Sequence, residues 1–110
     1  MQAIRSLHVD MVIMGVHGID ERAGLTTPNL LEAETNRALV ESARRLVVVA
    51  DHTKWGVVGL AQFAPLRAVT TLLTDDQLPA HAAQVLHEQV PEVIIIPTGE
   101  PPPSSPSPPV

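Results

Sequence analysis

Asp51-His52-Thr53-Lys54 places a carboxylate, an imidazole, a hydroxyl and an ammonium on four consecutive residues, directly after the apolar run Leu46 to Ala50. Lys54 is the only lysine in the chain. It can offer a positive charge and three donors to a phosphate or an anomeric oxygen, while Asp51 can accept from sugar hydroxyls or orient Lys54. The same spacing allows an internal Asp51 to Lys54 salt bridge that closes a turn, worth about 0–1 kcal/mol where exposed. Spacing alone leaves both roles open. Trp55 follows, as an apolar lid or anchor or as a stacking platform.

A second polar loop, Gly15-Val16-His17-Gly18-Ile19-Asp20, ends the apolar run that contains Val9 and Met11 to Val16. Glycines after a strand let backbone donors approach an anion, yet the spacing is neither the dinucleotide fingerprint nor a P-loop, so nucleotide binding is not expected. His17 can bond a ligand oxygen or a nearby carbonyl. Asp20, followed by Glu21 and Arg22, reads equally as a solvated turn. Thr26, Thr27 and Asn29 can meet sugar hydroxyls, and Asn29 also suits a helix cap. Glu32 fits a capping box with Asn29, and Arg37 can reach a phosphate or pair with Glu34 or Glu41. The five histidines lack metal-ligand spacing and the serines lack a nucleophile elbow; no metal, cofactor or serine catalysis is expected.

The elements that must position these groups alternate. Dense Val, Ile and Leu content at Met11 to Val16, Leu46 to Ala50, Val69 to Leu73 and Val93 to Ile96 suits parallel strands covered on both faces. Leu30 to Ala43 reads as a helix with Leu31, Ala33, Ala38, Leu39, Val40 and Ala43 inward. Gln77 to Val90 reads as another, capped by Asp75 or Asp76 and stopped by Pro91. Gly15 to Asn29 reads as one long connection, and Val57 to Leu66 as a short helix or turn. The resulting α/β order, with mainly parallel strands and flanking helices, calls for right-handed crossovers. Residues 1–98 form the expected domain, and 99–110, rich in Pro and Ser, the expected disordered or polyproline tail.

Net charge is −5, and cysteine is absent. Phosphate-backbone binding draws on clustered Lys and Arg, so a broad nucleic-acid footprint is not expected. No apolar run approaches the roughly 20 residues that span a bilayer. A cytoplasmic protein without membrane association is the expectation, although the lack of cysteine identifies no compartment by itself.

Val9 to Asp20, Gly24-Leu25-Thr26-Thr27-Pro28-Asn29, Glu32 to Arg37, Ala50 to Gly56 and Leu73-Thr74-Asp75 form five signatures in order. Together they resemble the DeoR/GlpR family of bacterial sugar-metabolism regulators, over about residues 5 to 97. The resemblance implies the second half of that family's C-terminal effector domain, which senses phosphorylated sugars. It implies a partial Rossmann-like sheet of the ribose-5-phosphate isomerase, glucosamine-6-phosphate deaminase and CoA-transferase type. It places Asp51, His52, Thr53, Lys54, Gly15, His17, Gly18, Asp20, Glu32 and Arg37 at or near the effector pocket. His52 and Thr53 stand where the family often has two serines, and Trp55 where it usually has phenylalanine.

The winged helix-turn-helix and the first effector half of that family have no counterpart in the sequence, so the expected protein is a non-enzymatic sensor fragment without its own DNA-binding domain. A phosphorylated sugar, bound weakly or in part, and a homo-oligomer or a complete paralogue are the expected partners. The alternatives are an isomerase-like enzyme fragment and a non-catalytic interaction or dimerisation module. The charge balance predicts no specific shift of an adjacent sugar-operon promoter in gel retardation at roughly 150 mM salt. A saturable shift at submicromolar protein contradicts that reading.

Overall fold

The computed structural model describes residues 8–98; the expected Pro/Ser tail lies outside the described residues. Four strands, β1 (Val9–Gly15), β4 (Ala43–Val49), β6 (Thr71–Asp75) and β7 (Glu92–Ile96), form an all-parallel sheet in the order β1-β4-β6-β7. The parallel strands read from apolar density are present. The third starts later than expected, because Thr70 opens the ladder from outside it: its amide donates to the Leu46 carbonyl at 2.9 Å and its hydroxyl accepts from the Leu46 amide at 3.1 Å.

A second sheet is antiparallel, in the order β2 (Gly18–Asp20), β3 (Gly24–Thr27), β5 (Ala61–Ala64). It corrects two expectations. The connection from Gly15 to Asn29 contains a hairpin, and Val57 to Leu66 contains strand β5, followed by a 3-10 turn over Leu66–Ala68. Both segments are too short to show a period, which is why alternation failed to reveal them. The hairpin is held by Asp20, whose Oδ2 accepts from the amides of Arg22 and Ala23, each at 3.0 Å. Gly24 then takes φ +71, a left-handed conformation that favours glycine.

Helix α1 (Leu30–Ser42) starts as the sequence indicates, with the Asn29 side chain accepting from the Glu32 amide at 3.0 Å. The return half of the capping box is replaced by Thr27, whose Oγ1 accepts from the Asn29 amide at 3.5 Å. The inward face differs from expectation: Ala33, Ala38 and Ser42 are buried, whereas Leu31 is exposed. Small residues let α1 approach the antiparallel sheet. Helix α2 (Ala80–Gln89) begins at Pro79 with no side-chain cap, so neither Asp75 nor Asp76 caps it. Its Ala82, Val85 and Leu86 are buried as expected.

One apolar core joins Leu46 and Val48 of β4, Leu72 of β6, Val85 and Leu86 of α2, and Leu25, Phe63 and Leu66 from the antiparallel side. Prolines 91 and 97 flank β7. The antiparallel sheet is pressed onto the loop after β4: a Cβ at Gly18 would lie 2.1 Å from the Val57 carbonyl oxygen, while one at Gly15 would meet nothing closer than 3.8 Å. Gly18→Ala is therefore expected to destabilise the protein by about 1–3 kcal/mol through overpacking, and Gly15→Ala to change stability by less than about 0.5 kcal/mol. Urea unfolding midpoints check the contrast; equal midpoints contradict it.

Candidate functional site

In a parallel sheet every strand delivers its following loop to the same edge, and crevices form there. The carboxyl ends of β4, β6 and β7 enclose an open depression of ≈ 210 Å³, floored by Val49, Ala50, Leu73, Thr74 and Ile96 and bordered by Asp51, Asp75 and Thr98. The floor is aliphatic and the border polar.

Immediately after Ala50, residues His52–Lys54 form a 3-10 turn capped by Asp51. Asp51 Oδ1 accepts from the Thr53 amide at 2.8 Å and from the Thr53 hydroxyl. These bonds favour the ionised form and hold its carboxyl below the usual carboxylate range. Lys54 closes the turn through its backbone, its amide donating to the Asp51 carbonyl at 3.1 Å. Its ammonium forms no ion pair within 4 Å among the described residues, so the turn-closing salt bridge is absent. The half-buried Trp55 packs against the core, and its backbone bridges Ile19, tying the turn to the hairpin.

Asp75 is the site residue that sequence reasoning assigned elsewhere. Its Oδ2 lies 2.9 Å from His52 Nδ1 and accepts from the His52 amide at 3.1 Å; its Oδ1 accepts from the Gln77 amide at 2.8 Å. This carboxylate joins the loops after β4 and β6. The signal was Leu73-Thr74-Asp75 at a strand end, read as a helix cap because a helix follows. Asp76 is similarly bound, accepting from the Thr98 hydroxyl at 2.7 Å.

The other candidates disperse. Gly15 ends β1, level with Val49 of β4, beside the depression. His17 is exposed in the link to β2 and has no hydrogen-bond partner among the described residues. Gly18 serves the close approach to Val57, and Asp20 the hairpin turn. Glu32 is exposed at the start of α1, its amide held by Asn29. Arg37 donates through Nη2 to the Gln62 carbonyl at 2.5 Å, bracing α1 against β5. No group of three or more metal-ligating side chains occurs among the described residues.

The contact with Asp75 raises the His52 pKa above its ordinary 6.5, and the same contact lowers Asp75 below 3.8. The histidine's contribution to stability is complete below pH 6.5 and lost as pH rises through its raised value; the aspartate's is complete above 3.8 and lost as pH falls through its lowered value. The stability difference between wild type and Asp75→Asn is therefore expected to be greatest between these two pH values. In NMR titration, Asp75→Asn should return the His52 midpoint toward 6.5. An unmoved midpoint removes the pair.

Residues 1–76 match the family model described as the DeoR C terminal sensor domain. The chain is 32% identical over 95 residues to a putative aga operon transcriptional repressor of Escherichia coli O157:H7, covering 86% of this chain and 35% of that protein. It is 37% identical over 75 residues to the HTH-type transcriptional regulator GlpR of Haloferax volcanii, covering 68% and 29%. It is 31% identical over 83 residues to the glycerol-3-phosphate regulon repressor of Escherichia coli K12, covering 76% and 33%. These relatives are named as regulators or repressors, not enzymes, and the chain spans about a third of their length. The α/β arrangement and the matched residues agree: this chain belongs to the DeoR C terminal sensor domain family.

Proposed function

We propose that the chain is a sugar-phosphate-sensing part of a regulator of carbohydrate metabolism, with the ligand seated at the carboxyl ends of β4 and β6. The observation that carries this reading is the Asp51 carboxylate, ionised and bordering the aliphatic floor, followed within one 3-10 turn by Lys54, whose ammonium forms no ion pair among the described residues. Lys54 takes the phosphate as a mobile cation. Asp51 keeps its second oxygen for a sugar hydroxyl, since Oδ1 is engaged by Thr53. Val49, Leu73 and Ile96 offer the apolar surface on which the C–H face of a sugar rests.

The fixed His52 adds a second polar group, with Nδ1 engaged by Asp75 and Nε2 left to donate or accept. The name of one relative, glycerol-3-phosphate regulon repressor, adds support by linking a regulator of this kind to a phosphorylated polyol. Arg37 takes no part, because its guanidinium braces β5.

Calorimetric titration of the chain with a panel of hexose and pentose phosphates tests the assignment, with free sugars and inorganic phosphate as controls. Weak binding of a phosphorylated sugar is expected. Lys54→Ala should lose about tenfold or more of that affinity, the equivalent of about 1.4 kcal/mol. Asp51→Ala should narrow the preference for sugar phosphate over inorganic phosphate. Equal affinities of wild type and Lys54→Ala for every phosphorylated sugar that binds take Lys54 out of the site.

A further inference from the structure

The imidazole of His52 is held from one side only. Its Nδ1 lies 2.9 Å from Asp75 Oδ2, and the same oxygen accepts from the His52 amide at 3.1 Å. Nε2 has no hydrogen-bond partner among the described residues. The His52 side chain is 43% exposed and that of Asp75 only 15%, so the carboxylate is the enclosed member of the pair and the ring the presented one.

An ionised carboxylate accepts hydrogen bonds and donates none, so Nδ1 carries a proton in every state that keeps this contact. Asp75 is held ionised by what it accepts: the His52 ring first, which keeps its carboxyl below the usual carboxylate range, and the His52 and Gln77 amides as well. A neutral ring with its proton on Nε2 is thereby excluded. Only Nε2 varies, bearing a lone pair when the ring is neutral and a proton when it is charged. One fixed point at the border of the depression is an acceptor in one state and a cationic donor in the other, with no movement of the ring between them.

The groups gathered at this edge favour the charged ring. Asp75, at the end of β6, acts first through its hydrogen bond, and Asp51, in the same turn as the ring, adds a second negative charge. Lys54 is the cation of that turn. Asp76, in the loop after β6, is engaged by the Thr98 hydroxyl and the Gln77 side chain; Gly15 at the end of β1 and Thr98 after β7 are uncharged. The ring therefore changes charge above its ordinary 6.5.

We propose that His52 is a specificity-determining residue of the site, its Nε2 taking an anionic oxygen of the ligand when protonated and a hydroxyl when not, with Asp75 as the positioning residue that makes the two exclusive. This rests on the reading that a phosphorylated sugar binds at the carboxyl ends of β4 and β6. With the ring charged, the phosphate has a second cationic donor beside Lys54; with the ring neutral, Lys54 serves it alone and the lone pair on Nε2 faces the polyol. A hydroxyl side chain at the same place donates and accepts at any pH, whereas an imidazole fixed through Nδ1 does one or the other. By linkage, the bound anion raises the His52 midpoint by the factor by which protonation tightens binding.

Calorimetry and 15N NMR of the full chain test this, with the same hexose and pentose phosphates as probes. The second ionisation of the phosphate, near pH 6, enters wild type and His52→Gln alike, so the ratio of their affinities isolates the ring. That ratio should rise about tenfold as pH falls from about 8.5 to about 5.5, the gain of one charge-assisted hydrogen bond. Asp75→Asn should move the midpoint of the rise down toward 6.5. The neutral ring should show its proton on Nδ1, and saturating sugar phosphate should raise the His52 midpoint by about one pH unit. A ratio that stays constant with pH, a neutral ring protonated on Nε2, or a His52 midpoint that bound sugar phosphate leaves in place overturns the proposal while leaving sugar-phosphate binding intact. Absence of binding by every phosphate in the panel at every pH overturns it together with the reading on which it rests.

Discussion

Parallel pairing is the constraint from which the rest of this molecule follows. Because β1, β4, β6 and β7 run the same way, each must be joined to the next by a segment that travels back along the sheet, and all four release their following loops at one edge. That edge gathers Gly15, the Asp51 to Lys54 turn, Asp75 and Thr98 from positions up to 83 residues apart in the sequence. No single loop assembles the site; the direction of the strands does.

Polar contacts at two junctions convert that proximity into a fixed geometry. Asp75 bonds both the ring and the amide of His52, so the loops after β4 and β6 cannot move independently without giving up two hydrogen bonds at once. On the other flank, the amide of Gly56 donates to the Ile19 carbonyl at 2.7 Å, and Thr26 Oγ1 accepts from the Gly59 amide at 2.7 Å. The chain following the turn is thus bound to the hairpin. The antiparallel sheet, which carries little of the candidate chemistry, holds the chemistry in place.

Much of this was legible in the residues. Dense aliphatic runs mark the parallel strands because both faces of such strands are meant to be covered, and the Asn29 cap and Pro91 stop bound the helices well. The antiparallel sheet was not legible: β2 has three residues and β3 and β5 have four, too few for alternation to stand out. The Asp51 to Lys54 turn was found because four chemically different side chains follow one strand. Asp75 was seen and misassigned, since only the fold brings His52 within 2.9 Å of it. Gly18, Asp20 and Arg37 each have a structural task that the letters alone do not reveal, because close approach, turn closure and helix bracing use the same residue types as ligand binding. Met11, Ile13, Ile94 and Ile96 on the parallel strands are exposed and also defied their sequence, since aliphatic density announces burial without saying what does the burying.

The prolines on either side of β7 bear on how copies of this molecule meet in concentrated solution. A sheet with two unguarded edges can add neighbours on both sides and grow without limit, which is the geometry of fibres. Here Pro91 and Pro97 obstruct hydrogen-bonded extension at one end of the strand order, while β1 at the other end carries no proline. Pairing along β7 is thereby confined to the five residues Glu92–Ile96 between the two prolines, which makes that edge the poorer template for extension.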